Sequence, residues 1–526
     1  MKFIRHPRHR RRTALPCPPS VFPNHRSGHG RAAPLQLLFV LLLGVSAVAA
    51  QAPAPAVPAP PPQQNPAGQM RPRPPRPRPR TFSPAQDLLI TGGTVVTMDT
   101  QRRILEGGAV IVRAGKILAV DQRDKLEAAY PAAQRLDARG RIVLPGFINT
   151  HTHVPMSLLR GVANDMTLED WLTQRIFPAE ARNVTEDFCV WGTRLAALEM
   201  IQGGTTTFAD MYYFEDAIAR ETKAAGLRGV LGESIIDFPA PDSKSPEQSL
   251  VQIEEYLKHW QGDPLIRPAV APHSAFLCSA DTLKRAAALA RRYRAPLLIH
   301  VSETRHERDE SLEKKHMSPV AWLDSLGFLA ADVLAAHCVW VDEADIKTLV
   351  ARDSGCAHNP SSNTMLASGV APVPAMLAAG LRLGLGTDGP AGSNNDIDMM
   401  QEMNLAAKLQ KVSRLDPRAL TALQALEMAT IGGARALHME DQIGSLEPGK
   451  QADIILLRTD VAHGQPIYDI PGEIVYALKA SDVTTVIVAG RVLMRDGALL
   501  TLDPPSILAK AKEYGEKVRQ SLAQPR

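Results

Sequence analysis

An α/β fold is predicted for this chain: a (β/α)8 TIM-like barrel carrying a small β-sandwich built from both flanking segments. Three observations predict it. Short apolar runs alternate with Ala/Leu/Glu/Arg-rich stretches across residues 147–437, room enough for the about 250 residues such a barrel usually takes. Val/Ile-rich runs punctuated by glycine appear on either side of that middle. Most apolar runs of the middle also end in a polar, ligand-capable residue, and strand ends are where this fold keeps its chemistry.

Taken in order, residues 1–50 read as a secretory signal peptide. A basic region precedes the apolar Leu35–Val45 run, and Ser46-Ala47-Val48-Ala49-Ala50 supplies small residues for cleavage. The apolar run is too short for a membrane span, so none is expected to remain after cleavage. Export to the periplasm or the medium is the expected localisation. Residues 51–86 are Ala/Pro-rich and then alternate Arg and Pro (RPRPPRPRPR), a composition that favours extended polyproline II and cannot build a core. A disordered linker is expected there. This leader carries most of the basic surplus behind the formal charge of +4, for Asp and Glu are absent before Asp87. The body is mildly acidic, which argues against nucleic acid as a partner. Five scattered cysteines with no C-x-x-C pair exclude a zinc–thiolate knot or a dense disulfide framework, and buried free thiols are expected.

From Asp87 the texture changes. LLITGGTVVTMD, GGAVIVRAGKILAV and RIVLPG predict a small antiparallel β unit over 87–146. ADIILL and TTVIVAGRVLM predict its second part over 438–502, and residues 503–526 are expected to end the chain as a helix. Between them the predicted barrel strands are FINTHTH, TTTFADM, RGVLGESI, IRPAVAPHS, APLLIHVSE, VLAAHCVWV, SGCAHNP and LRLGLGTDG. Stretches such as SADTLKRAAALARRYR predict the intervening helices. The strand ends read His151-x-His153, Asp210, Glu233, His273, His300 with Glu303, His337, His358 and Asp388.

In a strand, residues two apart point the same way, so His151 and His153 can reach one metal ion together. With His300 and Asp388 they make a candidate site for one divalent cation, Zn²⁺, with Fe²⁺ or Mn²⁺ as alternatives. A metal lowers the pKa of a coordinated water from about 16 toward 7. Glu303, just past the third ligand, is placed as a proton shuttle. His337 can hydrogen-bond the attacking water, and Asp388 can take its proton. Singly, each has a plain alternative: a satisfied core histidine, a turn aspartate, an exposed first-turn glutamate. Jointly, in barrel order, the plain alternatives lose. His358 stays open between support for the site and packing, and the Arg305–Lys315 charge cluster is expected to be a solvated helix face.

PGFINTHTH, HVSET, AAHC, HNPSSN, LGLGTDGPAGSNN and LEPGKQADIILL together resemble the amidohydrolase superfamily. They resemble most its 5′-methylthioadenosine/S-adenosylhomocysteine deaminase and chlorohydrolase branch, over about Asp87 to Leu500. The resemblance implies the metal-dependent hydrolase form of the barrel. It makes His151, His153, His300 and Asp388 the ligands and gives Glu303, His337 and Asp388 catalytic roles. The fourth strand has no lysine to be carbamylated, which fits the one-metal form. The implied reaction is hydrolytic deamination: hydroxide adds to a ring carbon bearing an amino group, Glu303 protonates the adjacent ring nitrogen, and ammonia leaves.

Trp171, Glu180 and His273 match substrate-contacting positions of the resembling deaminases. Glu180 is suited to ribose hydroxyls and Trp171 offers an apolar face; a helix-packing Trp and a surface Glu are the plain alternatives. Where that family uses two arginines for the carboxylate of S-adenosylhomocysteine, this chain has Glu233 and, by a gapped match, Ser249. A small heterocycle, adenosine-like or 5′-methylthioadenosine-like, is the expected substrate. The alternatives are a hydrolase displacing chloride or an amine from a triazine-like ring, or a deaminase of a free purine, pterin or pyrimidine base. The sequence leaves a homo-oligomer open.

Overall fold

The structure, a computed structural model, describes residues 86–523. The signal segment, and all but Gln86 of the linker, lie outside the described residues. Strands β1 (Leu88–Val96), β2 (Ile104–Arg113), β3 (Lys116–Gln122), β4 (Gln134–Asp137) and β5 (Arg141–Pro145) form the first flank. Eight strands follow: β6 (Phe147–Thr152), β7 (Thr205–Tyr212), β8 (Arg228–Ile235), β9 (Ile266–Pro272), β10 (Leu297–Val301), β11 (Val333–His337), β12 (Gly355–His358) and β13 (Arg382–Leu385). They close into a parallel barrel in chain order, β13 pairing back onto β6. The chain ends with β14 (Ile454–Arg458), β15 (Val483–Val488), β16 (Arg491–Arg495), β17 (Ala498–Leu499) and the helix Pro504–Ala523.

The two flanks meet as expected, in one nine-stranded sheet joined where β14 pairs antiparallel with β5. The sheet is mixed rather than antiparallel, because β4 and β5 both run parallel to β1. The helix Arg123–Ala129 carries the chain back to the starting edge before β4, the crossover that parallel pairing requires. Period-2 burial sorts the side chains. Leu88, Ile90, Val110, Val112, Ile454 and Leu456 share one core drawn from both flanks. The alternate residues Ile455 and Leu457 of β14 join the large core that includes barrel residues. The flanking sheet is thus fastened to the barrel by hydrophobic burial.

Within the barrel the same alternation holds. Val230, Ala269, Ala271, Leu298 and Leu334 pack together inside. Their neighbours Leu231, Val270, Ile299 and Ala335 join the cluster shared with the surrounding helices. Those helices begin where the sequence offers a cap: Ser279 accepts from the Thr282 amide at the start of Ala280–Tyr293, and Thr304 from Glu307 at the start of Arg305–Lys315. Cys189, Cys278, Cys338 and Cys356 are free and buried. Among the described residues no helix is long and apolar enough to cross a membrane.

Candidate metal and active site

The C-terminal strand ends gather the predicted residues at one point. His151 Nε2 and His153 Nε2 lie 3.3 and 3.2 Å from Asp388 Oδ1. His300 Nε2 is 3.4 Å from His153 Nε2. The ligand atoms of His151, His300, His337 and Asp388 all fall within 4.8 Å of one another, every one of these residues buried. All four predicted ligands, and His337 beside them, therefore converge.

Local backbone departures aim them. Along β6 the register against β7 slips between Asn149 and Thr152, a bulge of the kind that re-aims side chains beside active sites. Leu334 faces the barrel interior and Ala335 the helices, so plain alternation would turn His337 outward. Its φ of +72° places it in the left-handed region instead, and Asp388 (φ +64°) turns the same way. Few non-glycine residues adopt this conformation, and those that do cluster at functional sites.

The ring tautomers decide what the site wants. His153 Nδ1 lies 2.5 Å from the Met211 carbonyl and His300 Nδ1 2.7 Å from the His273 carbonyl. A carbonyl only accepts, so both Nδ1 atoms carry the proton and donate, and both Nε2 atoms turn lone pairs toward each other. His151 Nε2 is buried and makes no hydrogen bond. Three imidazole lone pairs and a carboxylate facing one point repel one another unless a cation sits among them. Nitrogen and oxygen donors of this kind fit a divalent transition metal, and the carbonyl partners on Nδ1 are the supports metal-bound histidines usually have. With no cation present, burial opposes charging His153, but the Asp388 carboxylate outweighs it and holds a proton there, its pKa raised to about 9. Burial lowers His151 to about 4.

The two carboxyl groups are pushed apart. Burial, and then the charge of Asp388, raises Glu303 well above the usual carboxylate range. Burial also opposes ionising Asp388, but the close approach of the His151 and His153 rings holds it well below that range. Environments that separate two carboxyls in this way assign one as acid and the other as base. Glu303 Oε2 is 3.7 Å from His337 Nε2. His337 Nδ1 lies 3.0 Å from Asn363 Oδ1, and Ser362 Oγ donates to Asp388 Oδ2 at 2.7 Å. Glu307 accepts from the Ser302 and Glu303 amides at 3.0 and 2.7 Å. It thereby departs from the expected solvated face: Glu307 is buried beneath its helix, while Arg305, His306 and Asp309 are exposed as expected.

Trp171, Glu180 and His273 line the same cavity as His153, His300, Glu303, His337 and Asp388. Glu180 is buried and accepts from Tyr212 Oη at 2.7 Å. Burial raises its carboxyl to about 7, with Tyr212 pulling the other way. Trp171 also packs, donating from Nε1 to the Ala391 carbonyl at 2.9 Å. The next residue, Gly392 (φ +105°), admits no side chain, for a Cβ there would stand 1.4 Å from the Ala163 oxygen. Glu233 and Ser249 do not line the cavity. Glu233 turns back to accept from the Glu215 amide at 2.8 Å, and Ser249 Oγ pairs with Ser243. Both ring nitrogens of His358 are buried without a hydrogen bond, which favours packing. Tyr212, Ser362, Asn363 and Glu307 were not expected. The first stands two residues past Asp210 at the end of β7, and the next two lie inside the HNPSSN motif.

Comparison with known proteins agrees with this geometry. Residues 142–493 match the model of the amidohydrolase family. A 5-methylthioadenosine/S-adenosylhomocysteine deaminase from Syntrophobacter fumaroxidans is 44% identical over 437 residues, covering 83% of this chain and 99% of that protein. A 5′-deoxyadenosine deaminase from Methanothermobacter thermautotrophicus is 42% identical over 79% of this chain and 98% of its own. Among solved structures, an adenosine deaminase from Xanthomonas campestris with bound zinc superposes with a TM-score of 0.79 at 37% identity, covering 83% of this chain and 99% of that one. The family match takes in all eight barrel strands and the site they carry, and the chain is a hydrolase belonging to the amidohydrolase family.

Proposed function

We propose that the protein is a metal-dependent hydrolytic deaminase of an adenosine-type nucleoside. One observation carries the reading: the buried carboxyl groups of Glu303 and Asp388 stand at the same convergence of histidine rings. A divalent cation held by His151, His153, His300 and Asp388 supplies the acidification of water; zinc fits the donor set, and the Xanthomonas campestris deaminase contains it. The remaining work falls to the chain's own groups. Asp388, oriented by Ser362 on its far oxygen, takes the proton of the attacking water and returns it to the amino group, which leaves as ammonia when the C–N bond breaks. Glu303, arriving as the acid, delivers a proton to the ring nitrogen beside the amino-bearing carbon. His337, oriented by Asn363, steadies the oxygen that adds to the ring.

The substrate assignment rests on the cavity and the relatives. Glu180, fixed by Tyr212, is placed to accept from ribose hydroxyls, and Trp171 supplies an apolar wall. No Lys or Arg lines the inner cavity, and the two positions matched to carboxylate-holding arginines carry Glu233 and Ser249. This supports adenosine, 5′-deoxyadenosine or 5′-methylthioadenosine over S-adenosylhomocysteine. Ammonia release measured on those nucleosides, guanine, pterins and a chlorotriazine tests it. Adenosine-type nucleosides should turn over fastest, and His300→Ala should lose both bound metal and turnover. Chloride release from the triazine with no ammonia from any nucleoside would sink the reading. Export belongs to the same proposal; an intact residue 1 on mature protein from the producing cell would remove it.

A further inference from the structure

Glu303, the acid of the proposed reaction, is not fixed through its own side chain. Among the described residues no hydrogen bond reaches its carboxyl, and His337 Nε2, at 3.7 Å from Oε2, stands too far to supply one. Where the acid points therefore depends on the backbone that carries it. That backbone leaves β10 at Val301, passes through Ser302 in the left-handed region (φ +52°), and enters the helix Arg305–Lys315 at its cap, Thr304. A serine has no glycine's freedom there, and such a turn persists only where its surroundings hold it.

Glu307 holds it. Its Oε1 accepts from the Ser302 amide at 3.0 Å and its Oε2 from the Glu303 amide at 2.7 Å, in a residue only 5% exposed. This is not ordinary capping. In a capping box the third residue of a helix reaches back to the amide of the cap residue itself. Two other helices of this chain close that way. Asp345 accepts from the Asp342 amide at 3.3 Å at the start of Glu343–Ala351, and Gln424 from Thr421 at 2.9 Å at the start of Ala422–Met428. At Thr304 the forward half is kept, its Oγ1 accepting from the Glu307 amide at 3.1 Å. The returning carboxylate, however, overshoots Thr304 and closes on the two residues before it, the second of which is the acid. Capping the helix calls for the Thr304 amide; holding Glu303 calls for the pair that Glu307 takes.

We propose that Glu307 is a positioning residue for deamination: its two oxygens clamp the turn between His300 and Glu303 and so set where Glu303 delivers its proton. The inference rests on the deaminase reading above and gives Glu307 a part in it. The clamp needs two acceptors. A glutamine offers one, and its amide nitrogen would face the other backbone N–H donor to donor. Glu307→Gln therefore releases one amide while keeping the size of the side chain. Misplacing a reacting group by about 1 Å can cost about 10²-fold in rate.

The test is a double-mutant cycle on the metal-loaded full chain, read as kcat and KM for ammonia release from adenosine. Glu307→Gln alone should lower kcat about 10–100-fold, with KM within about twofold and metal content by elemental analysis unchanged. In a Glu303→Gln background no acid remains to be aimed, so the same substitution should lower kcat by no more than about twofold. A role confined to steadying the helix would show the same loss in both backgrounds. Glu307→Asp, which keeps a carboxylate one methylene shorter, carries the same cycle should the glutamine variant not fold, and it too should lose kcat only where Glu303 is present. Equal losses in the two backgrounds, an undiminished kcat in Glu307→Gln, or a loss confined to KM or to bound metal overturns the positioning role and leaves the deaminase reading standing. No ammonia from adenosine, 5′-deoxyadenosine or 5′-methylthioadenosine with the unsubstituted chain overturns that reading, and the positioning role with it.

Discussion

Tyr212→Phe isolates the recognition of the sugar from the chemistry. In the native protein Tyr212 Oη donates to Glu180 Oε1 at 2.7 Å, inside a buried cavity wall. Burial raises that carboxyl to about 7 even with the phenol holding it down. A hydrogen bond to a charged group contributes about 1.5–3 kcal/mol, and 1.36 kcal/mol corresponds to about one pKa unit. Removing the hydroxyl therefore raises Glu180 by roughly 1–2 units. At pH 7.5 about three-quarters of the native carboxyls are ionised, against roughly a quarter or less in the variant. Only the ionised form accepts fully from both ribose hydroxyls. KM for adenosine should then rise about 10-fold while kcat stays within about twofold, since neither residue touches the reacting carbon. The sign of the pH dependence follows from a raised acid. The carboxylate exists above its pKa, so the KM defect should shrink between pH 7.5 and 9.5, whereas native KM is nearly flat above pH 8. Steady-state kinetics on adenosine and 2′,3′-dideoxyadenosine provide the assay. The same KM increase for the dideoxy compound, or a defect that ignores pH, would refute the placement of ribose at Glu180.

Three further outcomes are expected. Glu303→Gln keeps the shape but cannot deliver a proton, so kcat should fall about 10²–10⁴-fold while metal content by elemental analysis is unchanged. Chelation should abolish ammonia release and lower the melting temperature; restoring the metal to about 1,000 times its Kd should return about 4 kcal/mol of stability. Arg228 and Asp453 form an ion pair at 3.1 Å with side chains only 4% and 3% exposed. It ties β8 to the segment leading into β14, so Arg228→Ala leaves a buried carboxylate unpaired. The cost should be about 3–5 kcal/mol in denaturant unfolding, with KM unaltered.

Much of this architecture was legible because two periodicities carry it. Alternating apolar runs followed by polar ends marked all eight barrel strands, and the Gly-punctuated Val/Ile runs marked both halves of the flanking sheet. What stayed hidden depends on direction rather than type. Glu307 lies in a run of charges that composition reads as solvated, yet its place in the first turn, under the Thr304 cap, turns it inward to hold the amides of Ser302 and Glu303. Glu233 ends β8 as Asp210 ends β7, but its carboxyl folds back onto Glu215 rather than into the cavity. The parallel pairing of β4 and β5 with β1 escaped a pattern that reports strand existence, not partner or sense.

The predicted convergence needed more than eight strand ends in a ring. Regular strands alternate, so His337, directly after Ala335 and Ala336, would have faced the helices. The site forms because the backbone leaves its regular path where it must: a bulge in β6, and left-handed residues at Ser302, His337, Cys338 and Asp388, with φ of +52°, +72°, +47° and +64°. Each such residue costs of order 1–3 kcal/mol, and facing imidazole lone pairs add repulsion to the same few ångströms. A barrel with a large continuous core can bear that locally; an isolated loop could not. The same crowding explains why a cation should matter to stability as well as to rate. A bound cation would convert mutual repulsion among His151, His153, His300 and Asp388 into shared attraction, so metal binding would stabilise this mouth.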